Sequence, residues 1–99
     1  MPEPVTVEGS TVLRAADSVL KRSAGPETVL LDLESEEFFG LDGVGARAFE
    51  LFEQPQRLDD VIDILLTEYD VERDILAVDL MELVSSLVSR NLLVVDDAG

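Results

Sequence analysis

Cysteine and histidine are both absent from this chain of 99 residues. Without cysteine it has no disulfide framework and no thiolate metal site. Without either residue it also lacks the commonest general base and the best side-chain nucleophile. The serines have no activating partner in the sequence, and the carboxylates of Glu34, Glu36 and Glu37 are typical of a solvated surface. We therefore expect no catalytic site, no metal and no cofactor, and a protein that is not an enzyme.

Basic residues and long apolar runs are also scarce. Seven Lys and Arg stand against 22 Asp and Glu, which gives a net charge of −15. Nucleic acids and anionic membranes both attract clustered cations, so we expect neither as a partner. The acidic charge either attracts a basic or neutral polypeptide or simply keeps the protein soluble. No run approaches the roughly 18 apolar residues of a spanning helix, and the N-terminus lacks a signal-peptide pattern, so we expect a cytoplasmic protein.

A hydrophobic content of 46 % predicts one folded domain, and strand patterns occupy its first half. We expect strands over residues 17–22, 28–33 and 37–41, the last two forming an antiparallel hairpin. Their loop lacks the glycine or asparagine of a two-residue turn, so we expect a longer one. Apolar residues occupy both faces of the hairpin. By parity, one face carries Val29, Leu31 and Leu33, and the other carries Leu30 and Phe38. This two-sided pattern suggests that something other than the protein's own core docks there.

Three helices are predicted to follow. The first begins after an N-cap at Asp42 and ends before Pro55, and the second covers residues 58–68. The third covers residues 72–90, with Asn91 as its left-handed C-terminal residue, and residues 92–95 form a closing strand. A leucine stripe faces the core on the third helix: Leu76, Leu80, Leu83 and Leu87. Helical geometry does not decide whether the flank of Ile75 or that of Ala77, Met81, Val84 and Val88 is packed.

The predicted fold class is α+β: a winged helix-turn-helix-like domain with a three-stranded antiparallel sheet followed by three helices. Winged domains usually insert a recognition helix into the major groove of DNA. The longest helix here is acidic and would be repelled by phosphates, so the electrostatics argue against that use. Two functions are kept as alternatives to the one that the resemblance below implies: a winged-helix transcription regulator and a homodimerisation module.

Three segments in this order resemble the PqqD-like family of precursor-peptide recognition elements: TVLLDLESEEFFGLDGVGARAFELF, LDDVIDILLTEYDV and ILAVDLMELVSSLVSRNLL. These domains serve the biosynthesis of ribosomally made, post-translationally modified peptides (RiPPs). The resemblance covers residues 17–95 and is nearest to stand-alone members of lasso-peptide clusters. It departs at Glu36, where family members often have glycine, and at Arg57, where the second helix often begins with threonine. The domain prediction is a flexible tail over 1–16, the recognition domain over 17–95 and a second tail over 96–99.

The resemblance implies that the chain binds the leader of a precursor peptide as an added strand and presents it to a modifying enzyme or leader protease. It places the peptide beside the third strand of the sheet, in a groove walled by the third helix. The implied peptide-binding residues are Glu37, Phe38, Phe39, Gly40, Leu41, Ile75, Asp79, Glu82, Leu83 and Ser86. An edge strand with neighbouring apolar side chains suits such a guest on physical grounds. We expect a monomer or weak dimer.

Overall fold

The computed structural model describes residues 7–96 of the chain. Its elements follow one another as β1 (Val12–Ala15), β2 (Val19–Ala24), β3 (Glu27–Asp32), β4 (Glu37–Asp42), α1 (Gly43–Leu51), β5 (Gln56–Arg57), α2 (Leu58–Glu68), α3 (Arg73–Ser89) and β6 (Leu93–Val95). The α+β class is confirmed, with a three-stranded antiparallel sheet followed by three helices. Strand positions differ most from expectation at the N-terminus, where the strand expected at 17–22 lies two residues later. No helix in the described range is long and apolar enough to cross a membrane.

The larger sheet has the order β2-β3-β4, with antiparallel neighbours throughout. A four-residue loop joins β3 to β4, as the missing turn glycine predicted. The buried carboxylate of Asp32 organises this loop: it accepts the Glu34 amide at 3.0 Å and the Ser35 hydroxyl at 3.0 Å. Glu36 has a φ of +61°, a left-handed conformation that favours glycine, which fits the family preference at this position.

The register of the hairpin corrects our grouping of its apolar residues. Because four residues separate the paired ends, each odd-numbered residue of one strand pairs with an even-numbered residue of the other. The side chains of such a pair lie on the same face of the sheet. Leu31 lies opposite Phe38, and Leu30 lies opposite Phe39. Leu30 is fully buried and Phe39 packs against the core, whereas Phe38 is 70 % exposed on the other face. We call the Phe38 side of the β2-β3-β4 sheet its outer face.

A second, smaller sheet was not expected. It has the order β5-β1-β6, so the N-terminal strand lies between two segments from the far half of the chain. Leu13 of β1 is fully buried, and backbone hydrogen bonds join Ala15 to Phe52 and Ala16 to Leu92. The tail predicted over residues 1–16 is therefore wrong for 12–15, since the apolar VLRA segment pairs with distant strands that local sequence does not reveal. The tail residues 1–6 and 97–99 lie outside the described range.

The helices begin and end close to their predicted positions. Asp42 is the N-cap residue of α1, although its side chain makes no capping hydrogen bond. Gly43, with a φ of +50°, turns the chain from β4 into α1 without an intervening loop. The guanidinium of Arg47 donates to both carboxylate oxygens of Glu68 at 2.8 Å, which ties α1 to α2 and lowers the pKa of Glu68. Asn91 is left-handed, as predicted.

The leucine stripe of α3 is confirmed at three positions and is looser at the fourth. Leu76, Leu80 and Leu87 are buried, whereas Leu83 is half-buried. On the Ala77 flank, Val84 is buried, and Ala77 and Val88 pack against the core. The flank that includes Ile75 is exposed. Met81, which belongs to the same flank, is 37 % exposed. The Ala77 flank therefore packs against the core at three of its four positions, and the Ile75 flank faces outward.

Candidate functional site

The site begins at the free edge of the larger sheet. Within the described part of the chain, β4 pairs with β3 on one side and with no strand on the other. An edge strand leaves alternate backbone N–H and C=O groups without a ladder partner, and these groups accept a further strand. The edge leads directly into α1 through Gly43. Any strand added to β4 would therefore lie close to the start of α1.

An apolar cavity of about 170 Å³ lies where α1 and α3 meet, near the end of this edge. Leu76 and Leu80 of α3, which belong to the core, form part of its lining. Around them lie Val44 and Gly45 from the first turn of α1, Val71 before α3, and Ile75, Asp79 and Leu83 of α3. The cavity is open on one side, and an aliphatic side chain placed in it would gain about 0.8 kcal/mol for each methylene group that is buried. Its one carboxylate belongs to Asp79.

Gly45 permits α1 and α3 to approach one another at this point. A Cβ atom at position 45 would lie 3.1 Å from Leu83 Cδ2 and 3.6 Å from Leu41 Cδ2. The first of these distances is tighter than ordinary packing, so a larger residue would displace the Leu83 side chain, which lines the cavity. The same distances show that Leu41 at the end of β4 and Leu83 on α3 converge on one backbone position. This contact connects the edge strand to the cavity.

The other end of β4 is also connected to α3. The Arg90 guanidinium lies over the Phe39 ring, 5.1 Å from its centroid, and its Nη1 is 3.7 Å from Glu37 Oε2. From Leu83 to Arg90 the helix advances about 10 Å, and from Leu41 to Glu37 the strand retreats about 13 Å. The two elements therefore run antiparallel and are joined at both ends by side chains. Ser86 lies on the helix between these two contacts.

The predicted site residues separate into three groups. Ile75, Asp79 and Leu83 line the cavity, and Leu41 reaches it through Gly45. The second group lies outside the cavity lining: Glu82 and Ser86, exposed on the same helix, and Glu37 and Phe39, at the Arg90 end of the strand.

The third group is turned away from α3. Phe38 and Gly40 belong to the outer face of the sheet, on the side opposite Phe39 and Leu41. A strand added to β4 would still touch them, because its side chains alternate between the two faces. The two faces of the guest would therefore meet different surroundings: the cavity and α3 on one side, the exposed Phe38 on the other.

Sequence reasoning missed four residues at the cavity and at its far end: Val44, Gly45, Val71 and Arg90. Gly45 carried a signal. A glycine in the opening turn weakens a helix, so its presence there indicates that another element approaches the backbone closely. Val71 and Arg90 carried none, because their positions depend on how α3 packs across the sheet. Between residues 7 and 96 there is no cluster of three or more potential metal-binding side chains.

Comparison with known proteins gives a family match and similar solved structures. Residues 27–93 match the family model described as coenzyme PQQ synthesis protein D (PqqD). A solved structure of TbiB1 in complex with the TbiA(beta) leader peptide is 30 % identical to this chain, with a TM-score of 0.74. The match covers 87 % of this chain and 98 % of that one. Among proteins with curated functions, none is similar enough to this chain to count as a match.

A second solved structure, of a lasso peptide synthetase B1 complexed with the leader peptide, is 28 % identical with a TM-score of 0.67. This match covers 83 % of the present chain and 96 % of the other. The fold and the edge-strand site thus define a small α+β domain in which an antiparallel meander leads into three helices. The chain belongs to the PqqD family. The resemblance drawn from the three sequence segments is confirmed.

Proposed function

We propose that this chain is a non-catalytic adaptor of RiPP biosynthesis, in a pathway of the lasso-peptide type. It binds the leader segment of a ribosomal precursor peptide by β-strand addition and presents it to a modifying enzyme or leader protease. The observation that carries the proposal is the unpaired edge of β4 beside the apolar cavity between α1 and α3. The backbone of the edge supplies affinity, and the cavity supplies selectivity for an apolar side chain.

We propose a distinct role for each part of the site. Glu37 to Leu41 provide the backbone ladder, and Leu83 and Ile75 contact an apolar leader side chain in the cavity. Asp79, at the cavity, and Glu82, one helical turn further on, attract lysine or arginine in the leader. Neither carboxylate has an ion-pair partner among the residues the structure describes, so both are available to a basic guest.

Two related proteins support this assignment. TbiB1 and the lasso peptide synthetase B1 were each solved with a leader peptide, and both align with nearly their full length to this chain. A leader-binding role therefore requires no domain beyond the one described here. The absence of histidine and cysteine is consistent with a chain that leaves chemistry to a separate enzyme.

Ile75 and Val78 offer a matched pair for the test. Both are aliphatic, both lie on α3, and they are 57 % and 60 % exposed, so aspartate at either position leaves the core intact. Only Ile75 lines the cavity. We expect Ile75→Asp to weaken leader binding at least about tenfold, because it places a charge in the cavity where an apolar side chain of the leader is buried. We expect Val78→Asp to have little effect.

The measurement is fluorescence polarisation, and the probe is the fluorescein-labelled leader of a precursor peptide, to be sought in the reading frames that neighbour this gene. Circular dichroism of both variants confirms equal helical content. Equal affinities for the two aspartate variants would refute the cavity as the peptide site. A wild-type protein that binds no leader from its own gene cluster would refute the proposed function itself.

A further inference from the structure

Arg90 is held beside the start of β4 in a way that leaves its hydrogen-bond donors unused. Its guanidinium lies over the Phe39 ring, and its distance of 3.7 Å from Glu37 Oε2 is longer than a hydrogen bond. Four other arginines of the described range donate hydrogen bonds to their acidic partners: Arg14, Arg47, Arg57 and Arg73. Among the described residues, the Arg90 side chain donates none. It is attracted by one carboxylate but is not hydrogen-bonded to it.

The stacked position prepares this arginine for a carboxylate from outside the chain. A guanidinium that packs against an aromatic ring keeps the N–H groups of its planar edge free, and their fork matches a carboxylate with two parallel hydrogen bonds. The recess beside Arg90 has a second carboxylate, that of Asp32, which already accepts from the Glu34 amide and the Ser35 hydroxyl. The arginine side chain is also about half exposed. Its donors are therefore both ordered and accessible.

Arg90 lies where a strand added to β4 would pass. Glu37, Phe39 and Leu41 are alternate residues of β4, and they share the side that faces α3. A guest side chain level with Leu41 reaches the cavity, whereas one level with Glu37 reaches Arg90. These two levels are four residues apart on β4, and an even spacing keeps both guest side chains on the α3 side. The groove thus offers an apolar contact and a cationic contact to the same face of a guest.

We propose that Arg90 is a specificity-determining residue that binds an aspartate or glutamate of the leader, about four residues from the leader side chain that fills the cavity. The inference deepens the proposed function and rests on it. In the empty protein Glu37 stands near the guanidinium, and the leader carboxylate takes its place when the strand is added. Backbone pairing alone does not fix the register of an added strand, and a slip of one residue turns every side chain to the other face. Two side-chain contacts at a set spacing select one register.

Arg73 offers a matched control for Arg90. It lies at the other end of α3, its side chain is also about half exposed, and it pairs with one carboxylate, that of Asp63. We expect Arg90→Gln to weaken leader binding about fivefold or more, because it removes charge-assisted hydrogen bonds to the leader. We expect Arg73→Gln, which makes the same change in net charge outside the cavity lining, to stay within about twofold of the wild type. Circular dichroism verifies that both variants fold.

Glu37→Gln separates recognition of the leader from support of the fold. If Arg90 only held β4 against α3 through its ion pair with Glu37, loss of either partner would weaken leader binding. The proposed competition between Glu37 and the leader carboxylate predicts opposite signs. We expect Glu37→Gln to tighten binding about two- to threefold, because it frees the guanidinium and removes a like charge. The backbone of residue 37 is unchanged by this substitution, so weaker binding by Glu37→Gln would overturn the proposal.

The probe is the fluorescein-labelled leader of a precursor peptide sought in the neighbouring reading frames, with each of its acidic residues replaced in turn by arginine. Fluorescence polarisation measures each peptide against the wild-type protein and Arg90→Glu. We expect Arg90→Glu to bind the native leader at least about tenfold more weakly, and one arginine-substituted peptide to restore most of that loss. No restoration by any peptide, or equal effects of Arg90→Gln and Arg73→Gln, would overturn the proposal. A wild-type protein that binds no leader would instead refute the proposed function.

Discussion

The two sheets of this protein each contain three strands, but they differ in strand length and in exposure. The β5-β1-β6 sheet is assembled from three distant segments and contains the fully buried Leu13 and Leu93. The β2-β3-β4 sheet is assembled from consecutive strands, has a free edge at β4 and exposes apolar side chains on its outer face. The first sheet joins the N-terminal segment to the C-terminal one. The second has hydrogen-bonding and apolar capacity that the described chain does not use.

This difference indicates a division of labour between stability and recognition. Long-range pairing in the smaller sheet secures the core, so substitutions there should unfold the whole domain. The larger sheet pairs consecutive strands, and substitutions at its exposed positions should leave the core intact. A recognition domain of this size benefits from the separation, because its binding surface can vary without loss of the fold. The following predictions test this comparison at decreasing effect size.

The largest effect is expected at Leu13. Replacing this fully buried residue with alanine should cost about 2–5 kcal/mol of unfolding free energy, because it removes packed methyl groups and leaves a cavity. Leu20→Ala, in the exposed sheet, should change stability by no more than about 0.5 kcal/mol. Urea denaturation followed by circular dichroism measures both. Similar losses for the two variants would contradict the division between the sheets.

A smaller effect is expected from the charge at the cavity. Asp79→Asn should weaken binding of a lysine- or arginine-containing leader about two- to fivefold, the range of an exposed ion pair. It should also make the affinity less dependent on salt. Asp74→Asn removes the same charge from the same helix outside the cavity lining and serves as the control. Both variants are measured from 50 to 500 mM NaCl, over which the screening length falls from about 14 to about 4 Å. Equal affinities and equal salt dependence for the two variants would contradict a specific role for Asp79 and leave net charge as the cause.

The smallest effect concerns the loop between β3 and β4. The Glu34 amide that donates to Asp32 lowers the pKa of this carboxyl, and the Ser35 hydroxyl acts in the same direction. A carboxyl with a lowered folded-state pKa stabilises the protein above its unfolded pKa of about 3.9, and this contribution is lost as pH falls through the folded value. Asp32→Asn should therefore lower the melting temperature at pH 7, with a difference that shrinks below about pH 4. A difference independent of pH would exclude ionisation as the cause.

Local sequence patterns were sufficient for the helices and the hairpin. Residues 58–68 were predicted as a helix with both ends correct, because the apolar spacing and the flanking residues agree. The hairpin loop was predicted to be longer than two residues because it lacks a turn glycine or asparagine, and four residues separate β3 from β4. These features depend on neighbours within a few residues, which sequence reveals directly.

Features that depend on distant contacts were missed. β1 was assigned to a tail, since four residues of mixed character show no strand pattern until β5 and β6 pair with them. The face of Phe38 was wrongly assigned because register depends on loop length, and one residue more or less reverses every side chain. Of the third-helix residues predicted to bind the peptide, Ile75, Asp79 and Leu83 line the cavity, whereas Glu82 and Ser86 lie outside its lining. The contributions of Val44 and Val71 depend on the packing of α1 against α3.

The two edges of the larger sheet allow the most direct test of strand addition. β4 and β2 are both edge strands of one sheet, and only β4 lies beside the cavity. Amide hydrogen exchange by NMR, with and without saturating leader peptide, compares them within one sample. We predict that β4 amides directed away from β3 exchange at least about tenfold more slowly with leader bound, while β2 is unchanged. Unchanged β4 exchange at saturation, or protection of β2 instead, would contradict leader binding at this edge.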